Sequence, residues 1–364
     1  MNKNKYSDYK IFYFPEKIKS FFDNKISAPP YVRIKPINLC NHGCFFCAYS
    51  TGFRVNDGAE VEHIDSKMHQ DMSEKDIIPK DKMFEILDDL KSMGTKAITY
   101  SGGGEPLVHP DIVEIFKKTT ENGFDLSIIT NGQNLAKERA HALANAKWVR
   151  ISMDYSNPEE FFKFRNVSPK GFHSIIKNIE NFAKLKSDGC DLAVNFIVHE
   201  NNYRELFEIA NTLKNSGVEN VRFSPMYVTN FFEYHQRIAD TVNNQLEKIS
   251  TLIDNKFSVN TTYNISSNSS HSPFRTYDKC YALEIVPVIG ADLNIYTCHN
   301  KAYDQTGLIG SISNAKFSEV WFSQEAKAFI DKFNPKLKCL HECSADRKNI
   351  IINNFLNTHP DNFI

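Results

Sequence analysis

The regular alternation of short β-rich runs with amphipathic helices between residues 31 and 226 constrains the fold most strongly. Branched and aromatic apolar residues predict six strands, at 31–37, 97–101, 125–130, 148–154, 192–199 and 220–226. Helical spacing between the strands is clear in Met83, Leu87 and Leu90, and Gly94 follows where a helix end favours glycine. Such alternation gives a parallel sheet with right-handed crossovers. The chain is therefore predicted to be an α/β protein with an open doubly wound sheet or a partial barrel.

Two polar stretches interrupt this pattern. Residues 48–80 separate the first strand from its helix by far more than the usual connection of about 2–6 residues, and loops of that length are commonly functional. The serine-rich stretch at 266–272 is typical of a linker, and a helix is predicted before it at 243–254. A domain boundary is therefore expected within 230–270.

Charge and hydropathy exclude several classes of protein. The 43 basic and 44 acidic residues nearly cancel, so we expect no nucleic-acid partner. No apolar run reaches the roughly 18 residues of a membrane span, and the first residues lack the apolar core of a signal peptide. We therefore predict a cytoplasmic protein without a membrane partner.

The eight cysteines of the 364-residue chain are unevenly distributed. An even number indicates disulfides chiefly in small secreted proteins, which this chain does not resemble, so closely spaced thiols favour a metal site. One group contains Cys40, Cys44 and Cys47, and a second group lies in the last quarter: Cys280, Cys298, Cys339 and Cys343. Cys190 stands alone and is predicted to be a small buried apolar residue.

The first group has the spacing Cys40-x3-Cys44-x2-Cys47 and follows the first predicted strand. Parallel β/α folds build their active sites from loops at the carboxyl ends of strands. Three thiolates suit zinc or an iron–sulfur cluster. Structural zinc takes a fourth ligand, which His42 could supply, whereas a four-iron cluster held by three thiolates keeps one iron open. Gly43 permits tight folding around either metal.

The motif, with Phe46 before its third cysteine, resembles the signature of the radical S-adenosylmethionine (SAM) superfamily. The resemblance continues in SGGGEP at 101–106, which is similar to the superfamily's Gly-Gly-Glu-Pro motif. It includes ITNG at 129–132 and ISMD at 151–154, at the ends of the next two strands. It covers most of residues 31–226.

This resemblance implies a partial (β/α)6 barrel of the TIM-like kind and a catalytic [4Fe–4S] cluster on the first cysteine group. The open iron would chelate SAM, and an electron from a partner such as flavodoxin or ferredoxin would release a 5′-deoxyadenosyl radical that abstracts a hydrogen atom. The resemblance assigns cofactor contacts to Phe46, Gly103, Gly104, Glu105, Asn131, Ser152 and Asn195. Structural roles remain open beside these, such as a strand-to-helix turn for the glycines and a hydroxyl capping the sheet for Ser152.

The second cysteine group begins with Cys280-x17-Cys298, whose alternating apolar residues and central turn predict a β-hairpin with a cysteine near each outer end. With Cys339-x3-Cys343, and with Phe317 and Trp321 on one helix face, this part resembles the small α+β SPASM or twitch extension of radical SAM enzymes. Four cysteines imply one auxiliary [4Fe–4S] cluster, with a zinc ribbon as the alternative. The cysteine pattern is similar to that of dehydrogenases that oxidise an amino-cyclitol.

These patterns together divide the chain into five predicted segments. They are an N-terminal extension at 1–30, a radical SAM core at 31–230, a helical linker at 231–270, a SPASM/twitch domain at 271–346 and a tail at 347–364.

The resemblance implies an oxidoreductase that acts on a small sugar- or cyclitol-like alcohol, with the auxiliary cluster as electron acceptor. Arg222 and His299 are the predicted catalytic residues near the substrate hydroxyl, although Arg222 could instead pair within the barrel. A peptide maturase or epimerase, with a peptide as substrate, is the alternative enzyme. A non-catalytic zinc protein is the alternative of another class.

Overall fold

The computed structural model describes residues 7–49, 69–228, 231–263, 275–339 and 343–358. Its strands are β1 Tyr31–Ile34, β2 Ala97–Tyr100, β3 Asp125–Thr130, β4 Trp148–Met153, β5 Asp191–Val198, β6 Asn220–Pro225, β7 Ser258–Thr261, β8 Val288–Ile289, β9 Asn294–Tyr296 and β10 Leu308–Ser311. Its α-helices are α1 Pro15–Phe22, α2 Lys80–Met93, α3 Ile112–Glu121, α4 Lys137–Leu143, α5 Pro158–Arg165, α6 Lys170–Leu185, α7 Leu206–Asn215, α8 Phe231–Gln236, α9 Ala239–Ser250, α10 Ala282–Ile285, α11 Phe317–Trp321, α12 Gln324–Lys332, α13 Pro335–Lys338 and α14 Asp346–Leu356.

The ten strands form one sheet in the order β10-β9-β8-β1-β2-β3-β4-β5-β6-β7. Strands β1 to β7 pair in parallel with their neighbours, as βαβ crossovers require. All six predicted strands are present, and each differs from its predicted bounds by at most three residues at either end. The α/β class and the parallel arrangement of these strands are therefore confirmed.

Side-chain alternation separates the two faces of this sheet. On β4, Val149, Ile151 and Met153 are completely buried beneath the helices, whereas Arg150 and Ser152 alternate with them on the inner face and are half-buried. Successive side chains of a strand point to opposite faces, so this pattern places the apolar core between sheet and helices. The polar inner face is left for a site. At the end of α2, Gly94 adopts φ 86° and caps the helix as predicted.

The C-terminal part joins the same sheet through β8, which pairs in parallel with β1. Strands β8 and β9 form the predicted antiparallel hairpin, and β10 adds to its outer edge. The segment predicted as a helical linker contains α8 and α9 and also contributes β7, which pairs with β6. The helix predicted at 243–254 lies four residues earlier, as α9. The serine-rich stretch and most of the 48–80 loop lie outside the described residues.

The N-terminal segment packs against the C-terminal helices. Ile11, Ile18 and Phe21 share an apolar cluster with Tyr281 and Ile352. Beside this cluster the buried Lys17 ammonium lies 3.6 Å from the Glu284 carboxylate. Burial lowers the pKa of Lys17 to about 8. None of the helices in the described part of the chain is long and apolar enough to cross a membrane.

Candidate active site

The first cysteine loop follows β1 and is held against the end of α5. The backbone N–H of Gly43 donates to the Arg165 carbonyl at 2.8 Å, and that of Phe45 donates to the Phe164 carbonyl at 3.2 Å. Burial raises the pKa of Cys40 to about 12. Burial also raises the pKa of Cys44, and negative charge on its two partner thiols raises it further. The three thiols therefore lie close enough together for a charge on one to affect the pKa of another.

Arg165 connects this loop to the end of β4, and it was not identified from the sequence. Its guanidinium donates to Cys44 Sγ at 3.2 Å, to the Asp154 carboxylate at 2.5 Å and to the Ser152 carbonyl at 3.0 Å. Both charged side chains are almost completely buried. A buried guanidinium stabilises negative charge on the sulfur it contacts. The available signal was the aspartate of the ISMD motif, a buried carboxylate that requires a cationic partner.

The glycine-rich loop after β2 packs directly on the cysteine loop. A Cβ added to Gly103 would lie 2.0 Å from Asn38 Oδ1, and one added to Gly104 would lie 2.1 Å from the Leu39 carbonyl oxygen. The backbone N–H of Gly104 donates to the Ile37 carbonyl at 3.0 Å. Glycine is therefore required at both positions for backbone packing. The SAM contact predicted for them remains a separate proposal.

Glu105 lies at the junction of three loops. Its buried carboxylate accepts hydrogen bonds from the Leu107 N–H at 3.0 Å, the Thr130 hydroxyl at 2.7 Å and the Asn131 N–H at 2.7 Å. Burial raises its pKa, and these three donors act in the opposite direction. The Asn131 amide then donates to Asn41 Oδ1 at 2.7 Å, within the cysteine loop. Glu105 and Asn131 therefore join the three loops of the site to one another.

Ser152, Asn195 and Arg222 occupy one row across the inner face. Ser152 is the register partner of Asn195, which in turn is the partner of Arg222. The Ser224 hydroxyl donates to Asn195 Oδ1 at 3.1 Å. The structure thus brings together three predicted site residues from strands far apart in sequence. Phe46 lies near them, with the Arg165 guanidinium carbon 5.8 Å from its ring centroid.

The two histidines proposed for the site have different surroundings. His42 Nε2 lies 2.5 Å from Gln133 Oε1, and burial lowers the pKa of this histidine to about 3. The carbonyl of His299 accepts a hydrogen bond from the Tyr49 hydroxyl at 2.8 Å.

A buried lysine that the sequence analysis missed connects the two cysteine regions. Lys35 Nζ donates to the Tyr49 hydroxyl at 2.8 Å and to the Gly102 carbonyl. Through Tyr49 it reaches His299, the neighbour of Cys298. No motif marks Lys35, but its polar position in the first strand shares a face with Arg33.

The second cysteine group gathers the ends of several short elements. Cys298 follows β9 as predicted, whereas α10 separates Cys280 from β8; α13 precedes Cys339, and Cys343 lies just before α14. Burial raises the pKa of Cys280, and charge on each of the other three thiols raises it further. The Asn349 amide lies 3.5 Å from Cys280 Sγ. The four thiols therefore form one group.

The donor sets fit iron–sulfur clusters. All seven cysteines are thiols rather than halves of disulfides, and soft sulfur ligands suit such clusters. Within the described ranges, no three histidine, cysteine or carboxylate side chains are arranged to hold a single metal ion. A four-iron cluster differs in that each thiolate binds a different iron. Three thiols beside a polar face would hold an open cluster, and four would hold a closed one.

Comparison with known proteins identifies the class of this domain. The family model described as the Radical SAM superfamily matches residues 34–206. A probable GTP 3′,8-cyclase from Saccharolobus islandicus is 25% identical over 226 residues, which cover 60% of this chain and 65% of that relative. Residues 34–206 thus form a radical SAM domain, and domains of this superfamily use a [4Fe–4S] cluster and SAM.

Solved structures extend the likeness of fold beyond this domain. Streptococcus suis SuiB bound to its precursor peptide SuiA has a TM-score of 0.62 at 17% identity, covering all of this chain and 81% of SuiB. The protein anSMEcpe with bound AdoMet has a TM-score of 0.57 at 18% identity, covering 83% of each chain. These matches confirm a partial barrel followed by a further C-terminal domain.

Proposed function

We propose that this protein is a radical SAM enzyme whose catalytic cluster is held by Cys40, Cys44 and Cys47. The observation that supports this assignment best is the junction of three loops, where Glu105 and Asn131 bind the cysteine loop to the loops after β2 and β3. When bound, the cluster and SAM supply a 5′-deoxyadenosyl radical, and the protein supplies geometry and a protected pocket.

The residues around the loop have distinct tasks in this proposal. The backbone of Gly103 and Gly104 contacts the amino group of SAM, and Phe46 packs beside the cofactor. Ser152 and Asn195 bind its ribose and carboxylate, and Arg222 lies beside Asn195 in the same row. Both the row and the glycine loop border the inner face of the sheet, which agrees with a cofactor lying across that face.

Arg165 has an electrostatic task in the same proposal. Its hydrogen bond to Cys44 opposes the negative charge of the reduced cluster, while Asp154 fixes the guanidinium in place. An electron supplied by flavodoxin or ferredoxin would therefore enter a site that contains a fixed positive charge.

We further propose that Cys280, Cys298, Cys339 and Cys343 hold an auxiliary [4Fe–4S] cluster. The chain would then fill all four ligand positions, and the cluster held by these cysteines would supply an electron acceptor rather than an open iron for substrate. The reaction is a two-electron oxidation of a sugar- or cyclitol-like alcohol. Loss of a hydrogen atom, then of an electron and the hydroxyl proton, leaves a carbonyl. Arg222 and His299 are the candidates to hydrogen-bond that hydroxyl.

Peptide modification is the second candidate function. It is supported by the likeness to SuiB, whose structure contains a precursor peptide. One of the matched curated relatives is named as a probable GTP 3′,8-cyclase, and the chain spans only 65% of its length.

Anaerobic reconstitution tests the proposal directly. Two four-iron clusters give ~8 iron and ~8 sulfide per chain. Dithionite and SAM should then yield 5′-deoxyadenosine, detected by chromatography. Stoichiometric zinc without iron, in protein from cells that assemble clusters, would contradict the proposal and favour a zinc protein.

A further inference from the structure

Two cations lie on the inner face of the sheet, Arg33 within β1 and Lys35 directly after it. Arg33 and Lys35 alternate with Val32 and Ile34, which are completely buried beneath the helices. Lys35 is 1% exposed. Arg33 is half-buried, but its Nε atom is buried and has no hydrogen-bond partner among the described residues.

Neither cation has a carboxylate partner in the part of the chain that the structure describes, although the thiols of Cys47 and Cys298 face Lys35. The acceptors identified for Lys35 are neutral: the Tyr49 hydroxyl and the Gly102 carbonyl. Burial lowers the pKa of Lys35 well below its usual range. Other buried cations of this protein do have carboxylates, since Arg165 pairs with Asp154 and Lys17 with Glu284. Burying a positive charge without a partner costs several kcal/mol.

The position of this pair is the second observation. In the sheet register, Arg33 lies between Thr99 of β2 and Val288 of β8. Lys35 contacts the glycine loop and reaches the Cys298 segment through Tyr49. The two cations therefore lie between the two cysteine groups. An oxidised substrate must lie there if one cluster starts the reaction and the other accepts its electron.

We propose that Arg33 and Lys35 bind a phosphate group of the substrate, which identifies the substrate class as a phosphate ester of the sugar or cyclitol. This inference rests on the proposed function for its substrate. A dianionic phosphate favours the ammonium form of Lys35 against the effect of burial, and a guanidinium fork binds phosphate oxygens in pairs while an ammonium contributes a point charge. The bound phosphate supplies a counter-charge in addition to the thiols of Cys47 and Cys298, which face these cations.

Binding of inorganic pyrophosphate to the reconstituted full-length protein tests this site. Calorimetry at constant ionic strength should detect binding to the wild type, weakened about 10- to 100-fold by Arg33→Gln or Lys35→Met because a charge-assisted contact is lost. Arg33→Lys should recover part of the affinity. Arg204→Gln removes an exposed guanidinium that stacks on Tyr203 and should leave binding unchanged.

Three results would overturn the site. They are equal pyrophosphate affinity in the wild type and Arg33→Gln, acetate binding as tightly as pyrophosphate, and displacement of pyrophosphate by SAM, which would assign the cations to the cofactor. Iron content and a thermal transition verify folding, and if Lys35→Met is misfolded, the half-buried Arg33 decides alone. Formation of 5′-deoxyadenosine in the same preparation separates this outcome from failure of the proposed function.

Discussion

The two cysteine groups are built in opposite ways. The first group occupies a single loop of eight residues, and side chains from neighbouring strand ends fix that loop: Glu105, Asn131 and Arg165. The second group draws its four thiols from segments up to 63 residues apart, at the ends of short helices and a hairpin. The contrast teaches that an open site requires support from outside its ligands, whereas a closed site is stabilised largely by the ligands themselves.

Removing the first group should give the largest effect. Cys40→Ala, Cys44→Ala and Cys47→Ala together should lower the iron content to about half and abolish 5′-deoxyadenosine formation, because the auxiliary ligands remain. Iron analysis and chromatography of a dithionite reaction provide the measurement. Cys190→Ala is the matched control, as this buried thiol belongs to neither group. Retained SAM cleavage in the triple variant would show that the catalytic cluster lies elsewhere.

Removing two ligands of the second group should affect oxidation of the substrate rather than cleavage of SAM. Cys339→Ala with Cys343→Ala should also lower the iron content to about half, yet SAM cleavage should continue. Product analysis with the true substrate should then find no oxidised product, because the electron acceptor is missing. Product formation at the wild-type rate would make the auxiliary cluster purely structural and would remove the main support for a dehydrogenase.

Substitution of Arg165 should weaken the contacts that support the first cysteine group. Arg165→Met leaves the buried Asp154 carboxylate without its cation, which should cost about 3–5 kcal/mol of unfolding free energy. It also removes a positive charge from Cys44, so the reduction potential of the first cluster should become more negative. Urea unfolding and a redox titration measure these effects. Asp154→Asn with Arg165→Met should recover stability but not the potential; recovery of both would leave Arg165 with a structural role only.

Glu105 should produce a smaller change that separates its two possible roles. Glu105→Ala removes three hydrogen bonds, and a bond to a charged group contributes about 1.5–3 kcal/mol. If the carboxylate also binds the SAM ammonium, SAM affinity should fall about 10- to 150-fold. Calorimetric titration measures the SAM affinity of the variant, and urea unfolding measures its stability. Lower stability with unchanged SAM affinity would assign Glu105 to the loop junction alone.

The pKa of Glu105 adds a dependence on pH. Burial raises this pKa in the folded state, so the folded protein favours the protonated carboxyl more than the unfolded chain does. This contribution to stability is present at low pH and is lost as the pH rises through the raised pKa. Unfolding of Glu105→Gln should therefore show a smaller decrease in stability over that range than the wild type.

The strands could be predicted from the sequence because the spacing of apolar residues shows which face of a strand is buried. The family resemblance selected Ser152 and Asn195, and Arg222 was a separate candidate; the structure places all three in one row, and their roles stay predictions. The sequence did not identify Arg165 or Lys35, because neither lies in a motif and the fold alone brings Arg165 to Cys44 and Lys35 to Gly102. Strand β7 was missed for another reason: its side chains are largely exposed, so it lacks the apolar alternation of a buried strand.

The pairing of β8 with β1 also constrains the order of folding. These strands are separated by about 250 residues, and contacts at such separation form late because loop closure must come first. Until the C-terminal part of the chain has been synthesised, one edge of β1 has no strand beside it and can pair with another chain. The strand that leads into the catalytic loop is thus completed only when the segment bearing the second cysteine group arrives. We therefore expect the first cysteine group to receive its cluster only after the whole chain has been synthesised.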